Sequence, residues 1–297
     1  MRGRSASCLG ARLMAALPSA LAGAPPASPP VLAERYRAVA TGRSVLVMLP
    51  SGGIDVETDV GRVMSDAAYG GGLLGALILS ARDKKREQLT EIYAERAKAD
   101  SAPLRQATDD LPFDQLAMQA TRSAITGIDW FGGTEPVLSK APTDADKLAM
   151  VRTAGTQQLA SFSYRPSLSP DFTQLRVVGD IEVWLAPAKS TDRRPGALTS
   201  LSRQRITAIV ELDKRAYDHA ANAAVWAAED GKLARAALAV AFGRFAKLIP
   251  VALNLTDADI AALGNPKANK QFAAGFYGPP VTKLQPDPGE VLIWSNG

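Results

Sequence analysis

Cysteine occurs once in the 297 residues, at Cys8, and histidine once, at His219. A single thiol near the N-terminus excludes a disulfide framework and a thiolate zinc site. One imidazole excludes any multi-histidine metal centre and leaves one candidate base for a serine nucleophile. No G-x-S-x-G elbow supplies that serine. No repeat recurs at a fixed period. The apolar run Ala67 to Ala81 is interrupted by Gly70, Gly71, Gly72 and Gly75. It falls short of the roughly 20 residues that a membrane-crossing helix needs.

What remains is the composition of a folding chain. Hydrophobic residues make up 46% and charged residues 22%, enough apolar material for a real core. The formal charge is +4. Arg2, Arg4 and Arg12 fall in a segment without acidic residues, and taking them from +4 leaves +1. A chain so nearly neutral offers no phosphate-binding footprint, so no nucleic-acid partner is expected.

That N-terminal segment has the order of a secretory signal: basic residues, the apolar stretch Leu13 to Ala22, then small residues and prolines. Ala20-Leu21-Ala22 is a small-x-small cleavage site, and cleavage is expected after Ala22. Arg12 within the apolar region and Pro18 within a helical segment depart from the ideal pattern. Ser5-Ala6-Ser7-Cys8 resembles the context of a lipid-modified cysteine but lacks a preceding apolar stretch. The expected location is therefore periplasmic or secreted, with a lipoprotein the lesser alternative.

Further along, residues 23–43 read as a Pro/Ala-rich flexible segment and 44–297 as a single domain. Ser44 to Leu49 is a β-prone run stopped by Pro50-Ser51-Gly52-Gly53, and Ile54 to Val60 alternates apolar with acidic residues. Helices are expected from Leu73 to Lys98, from about Pro112 to Gly127, and from Ala216 to Ile249 with a division near Gly231. In the middle, Leu159 to Tyr164, Leu175 to Leu185 and Ile206 to Leu212 form strands. In the last two, apolar residues alternate with polar ones. Thr256-Asp257-Ala258-Asp259 has the form of a capping box, and Glu290 to Trp294 of a last strand. The fold class is α+β: an antiparallel sheet, made of a central three-stranded meander plus an N-terminal strand, packed against several helices.

Candidate chemistry is sparse. Gly70, Gly71, Gly72 and Gly75 satisfy G-x-G-x-x-G, but the strand that should precede them ends some twenty residues earlier, so a glycine-rich turn accounts for them. Asp55, Glu57, Asp59 and Asp66 fit positions one, three, five and twelve of a calcium loop. Val60 occupies the position that requires glycine, and an alternating strand predicts the first three carboxylates equally well. Asp109 and Asp110 precede Pro112, where helix N-terminal charge explains them. Trp130 and Phe131, flanked by Gly127, Gly132 and Gly133, read as a core plug or a binding contact. The alternation sets Trp184 on the wet face of its strand, under a helix or on a partner surface.

Trp130, Phe131, Trp184 and the glycines 70, 71, 72 and 75 are thus the candidate interaction surface. No catalytic, cofactor or metal residue is assigned. The reading is an exported envelope protein with a binding or structural role, facing an envelope protein or a membrane surface. The alternatives are a hydrolase whose carboxylate site assembles only in the fold, and a cytoplasmic nucleotide-binding protein.

Overall fold

The run Ser44 to Leu49 is apolar on both faces, a pattern that suits a strand covered from two sides. In the computed structural model it is β1 (Arg43–Met48), and all but its last residue are buried. The structure describes residues 29–57, 83–187 and 197–263, with two short strands beyond them, β7 (Lys283–Leu284) and β8 (Leu292–Ile293), which pair antiparallel.

The remaining strands are β2 (Asp55–Val56), β3 (Val137–Ser139), β4 (Gln158–Leu168), β5 (Gln174–Leu185) and β6 (Thr199–Glu211). Their order is β3-β1-β4-β5-β6, with β2 also on β4. The expected meander is present, since β4 pairs antiparallel with β5 and β5 with β6. The sheet as a whole is mixed, which corrects the purely antiparallel expectation. β1 runs parallel to both β3 and β4, and β2 parallel to β4. Alternation reports which face of a strand is buried and carries no information about the direction of its neighbour. Long helical crossovers set that direction here.

Pro166 lies inside β4, where a proline ordinarily breaks a ladder. The β4 ladder bonds its odd-numbered residues to β5, as Ser169 N–H to Gln174 O shows at the hairpin end, so the Pro166 nitrogen faces the other way. On that side β1 ends opposite Ser163 and β2 begins opposite Ser167. The missing donor falls in the gap.

The helices are α1 (Asp83–Asp100), α2 (Ala102–Ala107), α3 (Phe113–Thr126), α4 (Asp144–Ala154), α5 (His219–Asn254) and α6 (Asp257–Leu263). The amphipathic α3 buries Phe113, Ala117, Ala120, Thr121 and Ala124, closely following its apolar spacing. The α5 segment kinks at Ala228–Gly231, with Glu229, Asp230 and Gly231 at positive φ, where the sequence placed a division. Its second half sets Leu238, Phe242, Phe245 and Ile249 into the core. Pro103 lies in the first turn of α2, where its missing N–H costs no helical bond. The sequence reading missed α4, although a Thr143/Asp146 capping box opens it and Gly155, at φ 67°, closes it.

Two apolar clusters lie on opposite faces of the sheet. The larger holds Val45, Val47, Phe162, Tyr164, Val177 and Ile181 beneath α3 and α5, and the smaller holds Leu46, Leu159 and Val151 beneath α4. Gly179 sits at the crowded point of the first, facing Tyr164 across the strand, where a Cβ would enter the Phe245 ring. Gly179→Ala is expected to cost about 1–3 kcal/mol by overpacking, read as a lower urea midpoint. Adding Phe245→Leu should recover part of the loss, and an unchanged midpoint in the single variant would contradict this packing.

Candidate functional site

The Trp130-Phe131 segment is built around a buried guanidinium. Arg43, at the start of β1, is fully buried and donates to the carbonyl oxygens of Tyr36 (2.6 Å), Arg37 (2.6 Å), Trp130 (3.3 Å) and Phe131. Burial draws its pKa down to about 10, so it stays cationic at neutral pH. Its charge is met by carbonyl dipoles and by the faces of Trp130 and Phe131, with ring centroids at 4.9 and 5.3 Å.

The glycines after this pair have separate reasons. Gly132 adopts φ 55° and accepts Arg43 N–H at 2.9 Å. A side chain on Gly133 would enter Phe131 and Val45. Phe131 is buried against Phe162 as a plug over the core. Trp130 is half-buried: Arg37 stacks on it at 5.5 Å, and its Nε1 donates to Asn254 Oδ1 at 2.6 Å. These contacts commit both rings to holding the segment 29–42 and the end of α5 against the sheet.

Trp184 belongs to the other face. Paired with Leu159 across the ladder, it packs against the cluster of Leu46, Leu159 and the α4 residue Val151, and Lys147 Nζ lies 5.8 Å from its ring. Trp184 therefore lies under a helix, and the sheet separates it from Trp130 and Phe131. Gly70, Gly71, Gly72 and Gly75 lie outside the described residues, as do Asp59 and Asp66.

The other candidates are placed as local structure. Asp55 lies in β2. Glu57 is held by Ser167 Oγ at 2.7 Å and by Arg176. Asp110 forms a two-point pair with Arg235, which holds its carboxyl below the usual range. His219 is the first residue of α5, exposed, behind the Asp218 cap, and its ring is 6.1 Å from that of Phe172.

Sequence reasoning missed the order of charges on the open part of the sheet. Asp180 accepts from Arg165 at 2.7 Å on one neighbouring strand and from Arg205 at 2.8 and 3.2 Å on the other. Arg203 pairs with Glu182 at 3.0 Å. The carboxylates lie low, with side chains 12% and 19% exposed, while Arg203 and Arg205 stand 53% and 57% exposed above them. A molecule approaching this face meets guanidinium groups that retain unused donors. The signal was present in the alternation as Arg203, Arg205, Asp180 and Glu182. The cross-strand register that joins them was not.

The hairpin Ser169–Thr173 between β4 and β5 is anchored just as closely. Asp171 Oδ1 accepts from Ser169 Oγ at 2.7 Å and Thr173 Oγ1 at 2.9 Å, and buried Phe172 adopts φ 57°. Asn222 Nδ2 donates to Asp171 O at 3.0 Å, and Trp226 Nε1 to Phe172 O at 2.8 Å. Among the described residues no group of three or more His, Cys, Asp or Glu side chains is placed to hold a metal ion. The chain matches no protein-family model and no curated protein sequence.

Proposed function

We propose that this protein is exported and acts by binding, with the guanidinium-topped face of the sheet as its contact surface for a partner in the cell envelope. The order of Asp180 and Glu182 beneath Arg165, Arg203 and Arg205 is the observation that carries the reading. Guanidinium groups held upright by fixed carboxylate partners and exposed to solvent suit recognition of acceptor groups on another molecule. A carboxylate hydrolase calls for an acid with an upward-shifted pKa. The carboxyl groups of Asp110, Asp146 and Asp259 all shift downward, each through hydrogen bonds to its carboxylate.

The compartment rests on residues 1–22, whose basic, apolar and small-residue order supports export. The test is fractionation of the native host, with mass spectrometry of the mature N-terminus. The expected result is a periplasmic or secreted chain beginning at Gly23. A cytosolic chain that retains Met1 would overturn the export reading. The binding face is tested by making Arg165→Ser and Arg205→Ser together with Asp180→Asn, so that no carboxylate is left unpaired beneath them; the triple variant should lose co-sedimentation with host envelope fractions while keeping a cooperative thermal transition. Envelope association that survives the triple substitution would remove this face from consideration.

A further inference from the structure

We infer that Arg203 and Arg205 together hold a phosphoryl group, and that its source is the phosphomonoester headgroup of an anionic membrane lipid. The inference rests on the arginine face as the contact surface and names the chemistry that this face reads. The register of β6 against β5 sets Arg203 opposite Glu182, Arg205 opposite Asp180 and Thr207 opposite Val178. The three β6 side chains therefore follow one another on the same face of the sheet. All three are exposed.

What each acid takes from its arginines determines what is left for a ligand. Arg205 gives Nε to one oxygen of Asp180 at 2.8 Å and an Nη2 hydrogen to the other at 3.2 Å. From the β4 side, Arg165 gives Nη2 to the same carboxylate at 2.7 Å. Arg203 meets Glu182 through Nε at 3.0 Å. A guanidinium group carries five N–H donors. Both Nη1 hydrogens of Arg205 and the Nη hydrogens of Arg203 are therefore left without an acceptor among the described residues. Three guanidinium groups also stand over only two carboxylates, so the cluster keeps a positive excess.

The remaining donors suit a tetrahedral anion. Residues two apart on a strand are about 7 Å apart, which leaves room for one small anion between two side chains. A carboxylate has two oxygens in one plane and satisfies a single fork. A phosphomonoester has three terminal oxygens and accepts from a guanidinium group on either side. Thr207 adds a hydroxyl at the next position on that face. The chain lacks the long basic track that a nucleic acid needs, whereas one phosphoryl group needs only this pair. Arg203 and Arg205 are more than half exposed, with no enclosing wall to hold a free ion. A membrane presents many headgroups at once, and that multiplicity compensates for an open site.

The test is flotation of the chain, as isolated from its host, with phosphatidylcholine vesicles that contain either phosphatidic acid or a fatty acid at matched surface charge. The expected result is binding to the phosphatidic acid vesicles and about tenfold weaker binding to the carboxylate ones. Arg203→Lys with Arg205→Lys keeps both charges above Asp180 and Glu182 but removes the forks. That variant should bind phosphatidic acid vesicles about tenfold more weakly at an unchanged thermal midpoint. No flotation, equal binding to the two vesicles, or full binding by the lysine variant overturns the inference. Inorganic phosphate that blocks flotation at low micromolar concentration would make the free ion the ligand and overturn the lipid assignment. The vesicles hold no host protein, so arginine-dependent co-sedimentation with envelope fractions that persists beside any of these results leaves the contact face standing.

Discussion

Arg43→Ala is expected to cost about 3–5 kcal/mol, a large share of the stability of such a domain. The carbonyls of Arg37, Trp130 and Phe131 lose a buried donor, at about 1–3 kcal/mol for each group left unpaired. Tyr36 O keeps Gln158 Nε2 at 3.1 Å, so its share is smaller. Domains of this kind are stable by only about 5–15 kcal/mol in total. Arg43→Met separates the causes, because it fills the volume without donating. If hydrogen bonding dominates, both variants lose a similar amount in urea titrations. A methionine variant of native stability would show that the guanidinium contributes packing alone.

Trp226→Ala is expected to be at least as damaging, at about 4 kcal/mol or more. The indole is fully buried, and its loss opens a cavity of the kind that costs about 3–5 kcal/mol. It also removes the donor to Phe172 O, at a residue whose left-handed backbone already costs about 1–3 kcal/mol. Trp226→Phe keeps a buried ring but loses the donor and a smaller share of the volume, so its loss should be less than that of the alanine variant, at about 1–3 kcal/mol. Calorimetric midpoints of the two variants distinguish the cavity from the bond. Equal midpoints would show that the Nε1 contact governs the whole effect.

The sequence was informative where periodicity and local chemistry act alone. Phe113, Ala117, Ala120 and Ala124 announced α3, and Thr256 with Asp259 formed the capping box expected of them, each N–H bonded to the other's side chain. The alternation of Leu175 to Leu185 announced β5. It failed where the deciding partner is distant. The parallel pairing of β1 with β4 joins residues more than a hundred positions apart, and nothing in Ser44 to Leu49 encodes that direction. α4 was missed because its apolar side is narrow, with Leu148 and Val151 its only buried residues.

The surroundings of the candidate residues were hard to read for a related reason. Trp130 and Phe131 stand among glycines in the sequence, but their organising residue, Arg43, lies 87 positions away and reads in sequence as an ordinary strand-end cation. The pairing of Trp184 with Leu159 under α4 depended on a helix the sequence reading had not found. Arg165, Asp180 and Arg205 become a single group only through the registers of β4 with β5 and β5 with β6.

The break opposite Pro166 acts as a stop mark for strand assembly. Two separate pieces of chain share one flank of β4, and a pyrrolidine ring occupies the only stretch that neither reaches. If either piece overran that point, one of its carbonyls would face a nitrogen that carries no hydrogen, so the ring limits how far each can extend towards the other. Registers in which the two pieces close the gap are thereby disfavoured.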